Sequence, residues 1–517
     1  MEAAREEKAL VPVAPLPKAI ATTLMMAATI LVMLDQTIAI VALPHMQAAL
    51  GATPDSVSWV LTSYIIATAV ATPLTGWLTG RFSRSRMFGL CVLGFTVSSA
   101  LCGLSFSLPM MVLARLAQGA CGAFLMPLSQ AFLYDMNPPS GQVRALTIWG
   151  VGSMAGPLIG PVLGGYLTDA LDWRWVFFIN VPIGLAAAVG IFATLPEFPS
   201  VRRTFDHSGF IMVSVALCGL QLALDRGTQQ DWFDSTEILI ELGVSAAAFW
   251  MLFFHLRSAS SPIISISLFR QRTFAVAMTM SLTVMPVVIA ATALLPSLLQ
   301  VLLGYPVITA GVLLIPRSVA LTAGIIAGGR LMKVIDVRVQ IVGGLILLIA
   351  SLWMQSHFAL QMDERLIIIA GLLQGFGAGL AMTVVNFAAI SSVPPELRPE
   401  AAAMYGLFRN MGSALLISIS TAVLARNVQV NHSELGAALS STKGIFMAVQ
   451  ALGGSHSAAQ LAAFANAEVT RQAMMIAYID DFWMLKWLMI AMIPLALFVE
   501  PTAAARKHSS AVAMASD

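Results

Sequence analysis

Long apolar runs separated by short polar segments follow one another from residue 19 to residue 500. A helix needs about 20 apolar residues to cross about 30 Å of hydrocarbon. The pattern therefore predicts an all-α membrane protein. We place fourteen transmembrane helices near 19–41, 57–80, 87–107, 110–133, 144–168, 175–195, 208–224, 237–256, 274–302, 307–332, 339–358, 366–392, 399–425 and 478–499.

The predicted helices fall into groups of six, two and six, which indicates a duplicated six-helix unit with a two-helix insertion. The loops "GWLTGRFSRSR" and "GGRLMKVIDVR" support the duplication, since each places basic residues after a glycine. Two such halves around a midplane cavity are typical of secondary transporters. The predicted parts are an N-terminal tail (1–18), a six-helix half (19–196), two inserted helices (207–257), a second half (273–500) and a C-terminal tail (501–517).

Basic residues give the orientation, because they concentrate in cytoplasmic loops. Most of the 28 Lys and Arg residues collect on one side if the N-terminus is cytoplasmic, so both termini are predicted to lie in the cytoplasm. The alanine-rich segment 428–475 is then a periplasmic loop, either loosely packed or partner-binding. Only 10% of residues are charged, against about a quarter in soluble domains. The net charge of +2 indicates no nucleic-acid partner.

Ionisable residues inside spans are costly and are functional candidates by default. Asp35 lies seventeen residues above Lys18, about 25 Å from the inner face, and Arg115 about 9 Å from the outer end of its helix. Both fall in the outer half of the bilayer, so a salt bridge between them is predicted. The opposite charge favours an ionised carboxylate, whereas removal from water favours the neutral acid. Asp35 is therefore the predicted proton-coupling acid, and a purely structural ion pair is the alternative.

Arg317 and Arg409 are predicted near the midplane of their helices. They are possible substrate-cavity charges that attract anionic, lipophilic substrates. The alternative, which we favour, is that they hydrogen-bond helix ends or carbonyls at kinks such as that around Pro316.

The run "GVGSMAGPLIGPVLGG" (150–165) has too many glycines and prolines for a stable helix in water. In lipid, a stripe of small residues lets another helix approach closely, and proline favours a bend. We expect a bendable seam against the opposite half, near helices eight to twelve, with static packing as the alternative. The hinge and packing residues are Gly152, Gly156, Pro157, Gly160, Pro161, Gly164 and Gly165.

Five stretches resemble, in order, the motifs of the fourteen-helix drug:proton antiporters of the major facilitator superfamily, the EmrB/QacA type. They are "MLDQTIAIVALPHM" (33–46), "GWLTGRFSRSRMF" (76–88), "LARLAQGACGA" (113–123), "GSMAGPLIGPVLGG" (152–165) and "WRWVFFINVPIG" (173–184). Two more, "LDRGTQQDWFDSTEI" (224–238) and "SPIISISLFRQRTF" (261–274), resemble the EmrB-type branch.

The resemblance implies proton-driven efflux of hydrophobic or amphiphilic compounds across the inner membrane, with protons as the coupling ion. It also implies a periplasmic adaptor and an outer-membrane channel as partners. Asp35 and Arg115 match the family's proton-coupling residues, and the glycine run matches its antiporter motif. The cytoplasmic loop motif corresponds to Gly76, Arg81, Arg84 and Arg86.

The chain departs from the family pattern in the loop after the second helix. The position of the usual aspartate is Gly80, and Ser83 replaces a glycine. A charge relay through that aspartate is therefore in doubt, and we expect the three arginines to act as positive-inside anchors. In the first helix, Ile40 replaces a frequent asparagine.

Other functions fit the sequence less well. A proton-coupled transporter of one specific metabolite or natural product remains the main alternative. An uptake symporter would need a more polar cavity than these Met-, Leu-, Phe- and Ala-rich spans provide. No metal-ligand spacing or nucleophile motif favours an enzyme, and no cofactor is predicted.

Overall fold

Helices make up all the regular structure of the described residues, as expected where hydrocarbon offers no partner to an unbonded amide. The structure is a computed structural model that describes residues 18–196, 204–227, 229–259, 261–441 and 458–499. Numbered along the chain, its α-helices are α1 Lys18–Ala49, α2 Pro54–Val57, α3 Trp59–Ala71, α4 Thr75–Arg81, α5 Arg84–Gly103, α6 Leu108–Gly122, α7 Leu125–Asp135, α8 Pro139–Ser153, α9 Ala155–Ala170, α10 Trp175–Phe178, α11 Asn180–Thr194, α12 His207–Arg226, α13 Thr236–Ser258, α14 Ile266–Arg270, α15 Arg272–Ser297, α16 Val307–Leu331, α17 Val337–Gln355, α18 Glu364–Ser391, α19 Arg398–Ser441 and α20 Ala458–Ala496.

Twelve helices or helix pairs in the described ranges are long and apolar enough to cross a membrane, and they match twelve of the fourteen predicted spans. The other two predicted spans are α20 and the pair α8 and α9. The last eighteen residues of α20 carry three charges, Asp480, Asp481 and Lys486. The span predicted near 144–168 is divided into α8 and α9, which have 15 and 16 residues.

The interruption in this fifth span falls at Met154, between α8 and α9. Pro157 has no amide hydrogen to donate to the carbonyl of Ser153, four residues earlier, so the helix breaks there. Pro161 lies inside α9 without ending it. The predicted bend is therefore a break one turn before the first proline, and the side chain of Pro157 lies outside the described part of the chain.

Two long helices extend into the segment predicted as a periplasmic loop. α19 continues to Ser441 and α20 begins at Ala458, so much of 428–475 is helical. The intervening residues 442–457, together with both predicted tails up to residue 17 and from residue 500, lie outside the described residues.

The chain divides into two compact units. The first comprises Met1–Arg226, Trp232–Met278 and Asn386–Leu407, and the second comprises Gly227–Asp231, Thr279–Val385 and Phe408–Asp517. In the first unit, α1 packs against α7, α9 and α11, while α3 packs against α6. One cluster of its core side chains includes Met25, Leu31, Phe88, Phe95, Phe132 and Ile191.

In the second unit, glycines allow close contact between helix backbones. A Cβ atom added at Gly344 of α17 would lie 2.7 Å from the carbonyl oxygen of Gly377 in α18. Gly375 of α18 lies similarly against the carbonyl of Arg317 in α16. α17 also packs along α20.

Candidate functional site

Asp35 and Arg115 form a buried ion pair in the first unit. Nη1 of Arg115 in α6 donates to Oδ2 of Asp35 in α1 at 2.7 Å, and each side chain is only 1% exposed. Two unit charges are therefore held together away from water, where neither is stable alone. The structure brings together the two residues for which the sequence predicted a salt bridge.

Two neutral amide side chains complete this arrangement. Gln118 Nε2 and Asn180 Nδ2 donate to Oδ1 of Asp35 at 2.8 and 3.1 Å. Arg115 Nη1 also donates to Oε1 of Gln118 at 2.9 Å, and its Nε donates to the carbonyl of Val60 at 3.0 Å. We call Asp35, Arg115, Gln118 and Asn180 the Asp35 centre. The carboxylate of Asp35 thus accepts hydrogen bonds from three side chains on two other helices.

Sequence reasoning missed Gln118 and Asn180, although both lie in stretches that carried the family resemblance. Gln118 is three residues after Arg115 and therefore shares its helix face. Asn180 begins α11, directly after the aromatic turn α10. That turn places the Phe177 ring 5.5 Å from the Arg115 guanidinium carbon, and the Tyr64 ring lies 4.6 Å away on α3. The aromatic rings shield the ion pair and contribute cation–π attraction.

The glycine stripe of α9 packs against α1. A Cβ atom at Gly156 would lie 2.5 Å from Cβ of Met33 and 2.8 Å from the backbone nitrogen of Leu34. Gly160 has the same relation to Thr37. The expectation that this stripe faces helices eight to twelve is wrong, because a stripe of small residues indicates a close neighbour without identifying it.

Other members of the run differ in what they contact. Gly152 lies against Met26, and Gly164 against Ile38 at 3.4 Å, so the stripe follows α1 for several turns. Gly165 has no atom within 4 Å of an added Cβ. Thr37 lies two residues after Asp35 in α1, and its hydroxyl donates to the carbonyl of Gly156 at 3.3 Å. The close packing of α9 thus helps to fix the helix that carries the acid.

Arg84, the first residue of α5, pairs with a second buried carboxylate, that of Asp135 at the end of α7. Arg84 Nη1 lies 3.1 Å from Oδ2 of Asp135, and Arg398 Nη1 forms an ion pair with Oδ1 of the same residue. Arg84 also donates to the carbonyl of Pro395 at 3.0 Å. We call Arg84, Asp135 and Arg398 the Asp135 cluster. In addition to the predicted anchoring, Arg84 has a structural contact, because its side chain is 9% exposed and paired. Arg81 is exposed, as an anchor would be.

Glu400 lies close to the same loop motif. Its carboxylate accepts hydrogen bonds from the backbone amide and the hydroxyl of Ser265 at 2.6 and 3.0 Å. A Cβ atom at Gly76 would lie 2.6 Å from its Oε2. The loop motif that lacks an acid at Gly80 therefore lies close to two acids from elsewhere in the chain, Asp135 and Glu400. Both are distant in sequence, so the sequence did not predict them.

The two predicted cavity cations belong to the second unit. Arg317 donates through Nη1 to the hydroxyl of Thr292, while its buried Nε has no hydrogen-bond partner within the described residues. The carbonyl of Arg409 accepts from Ser413 Oγ at 2.8 Å. The Thr292 partner is a side-chain hydroxyl inside α15, whereas the interpretation favoured for Arg317 is a bond to a helix end or a carbonyl. Among the described residues, no group of three or more His, Cys, Asp or Glu side chains could hold a metal ion.

The architecture and motifs agree with a known family. The model of the Major Facilitator Superfamily matches residues 25–417. The chain therefore belongs to the Major Facilitator Superfamily of multi-pass membrane transporters. Within the superfamily it resembles the EmrB type in particular. It is 31% identical to the multidrug export protein EmrB of Escherichia coli over 484 residues, which are 92% of this chain and 94% of EmrB.

A second relative and two solved structures extend the comparison. The fatty acid resistance protein FarB of Neisseria gonorrhoeae is 32% identical over 404 residues, 77% of this chain and 79% of FarB. The human organic anion transporter MFSD10 has a TM-score of 0.58 at 14% identity, covering 92% of this chain and 99% of that structure. A bacterial homologue of the lysosomal transporter Spinster has a TM-score of 0.53 at 17% identity, covering 95% and 99%. At these identities the two structures support the fold alone.

Proposed function

We propose that the protein is a drug:proton antiporter that exports hydrophobic or amphiphilic compounds across the inner membrane, with both termini in the cytoplasm. The Asp35 centre is the observation that carries the proposal. A charged pair at 1% exposure in a membrane span is expensive and is retained where a charge must be moved. The multidrug export protein EmrB matches nearly the whole chain, and its activity supports export as the direction of transport.

Asp35 is the proposed proton carrier in this exporter. In the described conformation Arg115, Gln118 and Asn180 all donate to its carboxylate. Movement of α1 relative to α6 would separate the pair, and the isolated carboxylate would then bind a proton from the outer side. Return to the paired state would release that proton toward the cytoplasm, and the proton gradient would drive the cycle.

The proposed substrate class rests on the composition of the spans and on the relatives. Spans rich in Met, Leu and Phe suit varied apolar ligands. EmrB is a multidrug export protein and FarB is a fatty acid resistance protein, and fatty acids are lipophilic. A single lipophilic natural product is the alternative cargo. The long helices α19 and α20, which continue beyond their predicted spans, are the proposed contact surface for a periplasmic adaptor leading to an outer-membrane channel.

Proteoliposomes with an imposed pH gradient test the proposal. Wild-type protein should transport a lipophilic dye against its gradient only while the pH gradient lasts. Asp35→Asn should lose this coupled transport, whereas Asp169→Asn, which changes an exposed acid of α9, should keep it. Unchanged coupling in Asp35→Asn would refute the role of Asp35.

A resistance assay addresses the cargo. The protein should protect a pump-deficient host against several lipophilic compounds, and co-expression of a cognate adaptor should increase that protection. Protection against a single compound would favour the specific transporter instead. Absence of any change in resistance or accumulation would argue against export.

A further inference from the structure

The second unit contains a buried acid that the proposed mechanism does not use. Asp481 of α20 is 0% exposed, and neither of its carboxylate oxygens has a hydrogen-bond partner in the described part of the chain. Buried polar groups are nearly always hydrogen-bonded, and an isolated carboxylate removed from water takes up a proton rather than remaining charged. Asp481 therefore differs from Asp35, whose carboxylate accepts hydrogen bonds from three side chains.

The buried neighbours of Asp481 along α20 are mainly apolar. Phe482 and Leu485 are both fully buried, and the ring of Phe358 lies 6.1 Å from that of Phe482. Tyr478, one turn earlier, is buried and hydrogen-bonded to Ser297. These neighbours exclude water from the carboxyl group in the described conformation.

Few other titratable or charged groups face Asp481. On α20 itself they are Asp480 and Tyr478, while Lys486 lies over the rings of Trp483 and Trp487. Of the elements packed along α20, the π-helical turn Leu298–Leu302 has no charged residue, and the only charged residue of α17 is Arg338 at its far end. α19 contributes Asn427, which donates to Asp480 at 3.4 Å, and the neighbouring exposed Arg426.

Depth places Asp481 close to one surface of the membrane. Arg338 donates to the carbonyl of Val499 at the predicted inner end of α17, and Asp481 lies eighteen residues away, about 27 Å along the helix axis. The exposed Trp483 and Trp487 are of the type that marks a membrane interface. Asp480 is exposed next to the buried acid. One carboxyl group therefore faces the surroundings while its neighbour in sequence is enclosed.

We propose that Asp481 is a second proton-binding carboxyl group, which takes up a proton from the outer side by way of Asp480. The inference deepens the proposed proton-driven export and rests on it for the direction from which the proton arrives. A carboxyl group with no hydrogen-bond partner among the described residues costs free energy to bury. Its use must lie in another state, in which water reaches the site and the neutral acid releases its proton.

Infrared difference spectroscopy of the purified full-length protein, reconstituted in lipid, tests the proposal without requiring transport. Wild type should show the carbonyl stretch of a protonated carboxyl group that disappears reversibly as pH is raised. The band should be absent from Asp481→Asn and retained in Asp480→Asn and Asp35→Asn. A band that never titrates, that is missing from wild type at every pH, or that persists in Asp481→Asn would overturn the proposal.

Separate control experiments distinguish the proton site from effects on folding and on transport. Asparagine resembles the neutral acid in size, so Asp481→Asn should keep the wild-type unfolding temperature. If that variant does not fold, Asp481→Glu should retain a titrating band at a shifted frequency, and an unshifted band would assign it to another residue. If wild type transports nothing but the band titrates and is lost in Asp481→Asn, the proposed export fails while the proton site stands.

Discussion

The Asp35 centre and the Asp135 cluster both hold a buried carboxylate, but their charge balance differs. Asp35 has one arginine and two neutral amides, whereas Asp135 has two arginines. Protonating Asp35 leaves one cation with no counter-charge, while loss of either arginine from the Asp135 cluster leaves that acid still paired. The Asp35 centre therefore suits a group that changes its charge during a transport cycle. The Asp135 cluster suits a contact that forms or breaks while its residues keep their charges.

The largest expected effect is in the Asp35 centre, where two variants distinguish the stabilising role of the ion pair from its role in proton-coupled export. Asp35→Asn leaves Arg115 buried without a counter-charge, which should lower the free energy of unfolding by about 3–5 kcal/mol. The double variant Asp35→Asn/Arg115→Gln removes both charges and should recover most of that loss without restoring export. Unfolding in detergent and vesicle transport measure the two outcomes. A double variant no more stable than the single one would contradict the pairing argument.

Removing the acid of the Asp135 cluster should have a smaller effect. Asp135→Asn leaves Arg84 and Arg398 beside each other and should cost about 1.5–3 kcal/mol. The Asp135 cluster is less completely buried than the Asp35 centre. High salt should therefore reduce the loss of unfolding free energy in Asp135→Asn but hardly change the loss in Asp35→Asn. Arg84→Gln is the matched control and should cost less, since Arg398 still pairs with the acid. Equal salt dependence of the two aspartate variants would remove the distinction between the regions.

The packing that supports the Asp35 centre can be tested within one helix. Gly156→Ala places a methyl group against Met33 and the backbone of Leu34, which should cost about 1–3 kcal/mol and reduce export. Gly165→Ala meets no atom within 4 Å and should be neutral or stabilising by up to about 1 kcal/mol. Thermal unfolding of the two variants gives the comparison. Equal behaviour would show that α9 does not press on α1 at Gly156.

The smallest effect concerns Asp206, which precedes α12. Its burial tends to raise the pKa, but hydrogen bonds from the Gly209 amide, His255 and the Ile263 amide outweigh burial and lower the pKa below the ordinary value for an aspartate. A lowered folded-state pKa contributes stability above about pH 4 that is lost as pH falls through the folded value.

Asp206→Asn should therefore cost about 0.5–1.5 kcal/mol at neutral pH, the usual net value of one hydrogen bond, because asparagine can still cap α12 through Oδ1 but lacks the second acceptor oxygen. Its deficit relative to wild type should shrink below about pH 4, where the wild-type acid itself becomes protonated. Unfolding measured across pH tests the sign. A deficit that grows on acidification would contradict the assigned hydrogen bonds.

Local patterns predicted the helices and the central ion pair, because span length and depth follow from counting residues. The partners of Asp35 on other helices could not be predicted in the same way. Asn180 is 145 positions from Asp35, and the pairing of Asp135 with Arg398 spans 263 positions. Apolar periodicity indicates that a helix is buried but not which neighbour it meets, which is also why the partner of the glycine stripe was wrongly predicted.

The break at Met154 has a consequence for membrane insertion during synthesis. α8 and α9 would each extend about 23–24 Å, too short to cross about 30 Å of hydrocarbon alone. The two segments must therefore enter the bilayer as one unit. α1 leaves the ribosome earlier, and its surface accepts the glycine face of α9. Integration of the fifth span should thus depend on a helix already in place, so a defect in α1 would appear as failed insertion of a segment more than a hundred residues later.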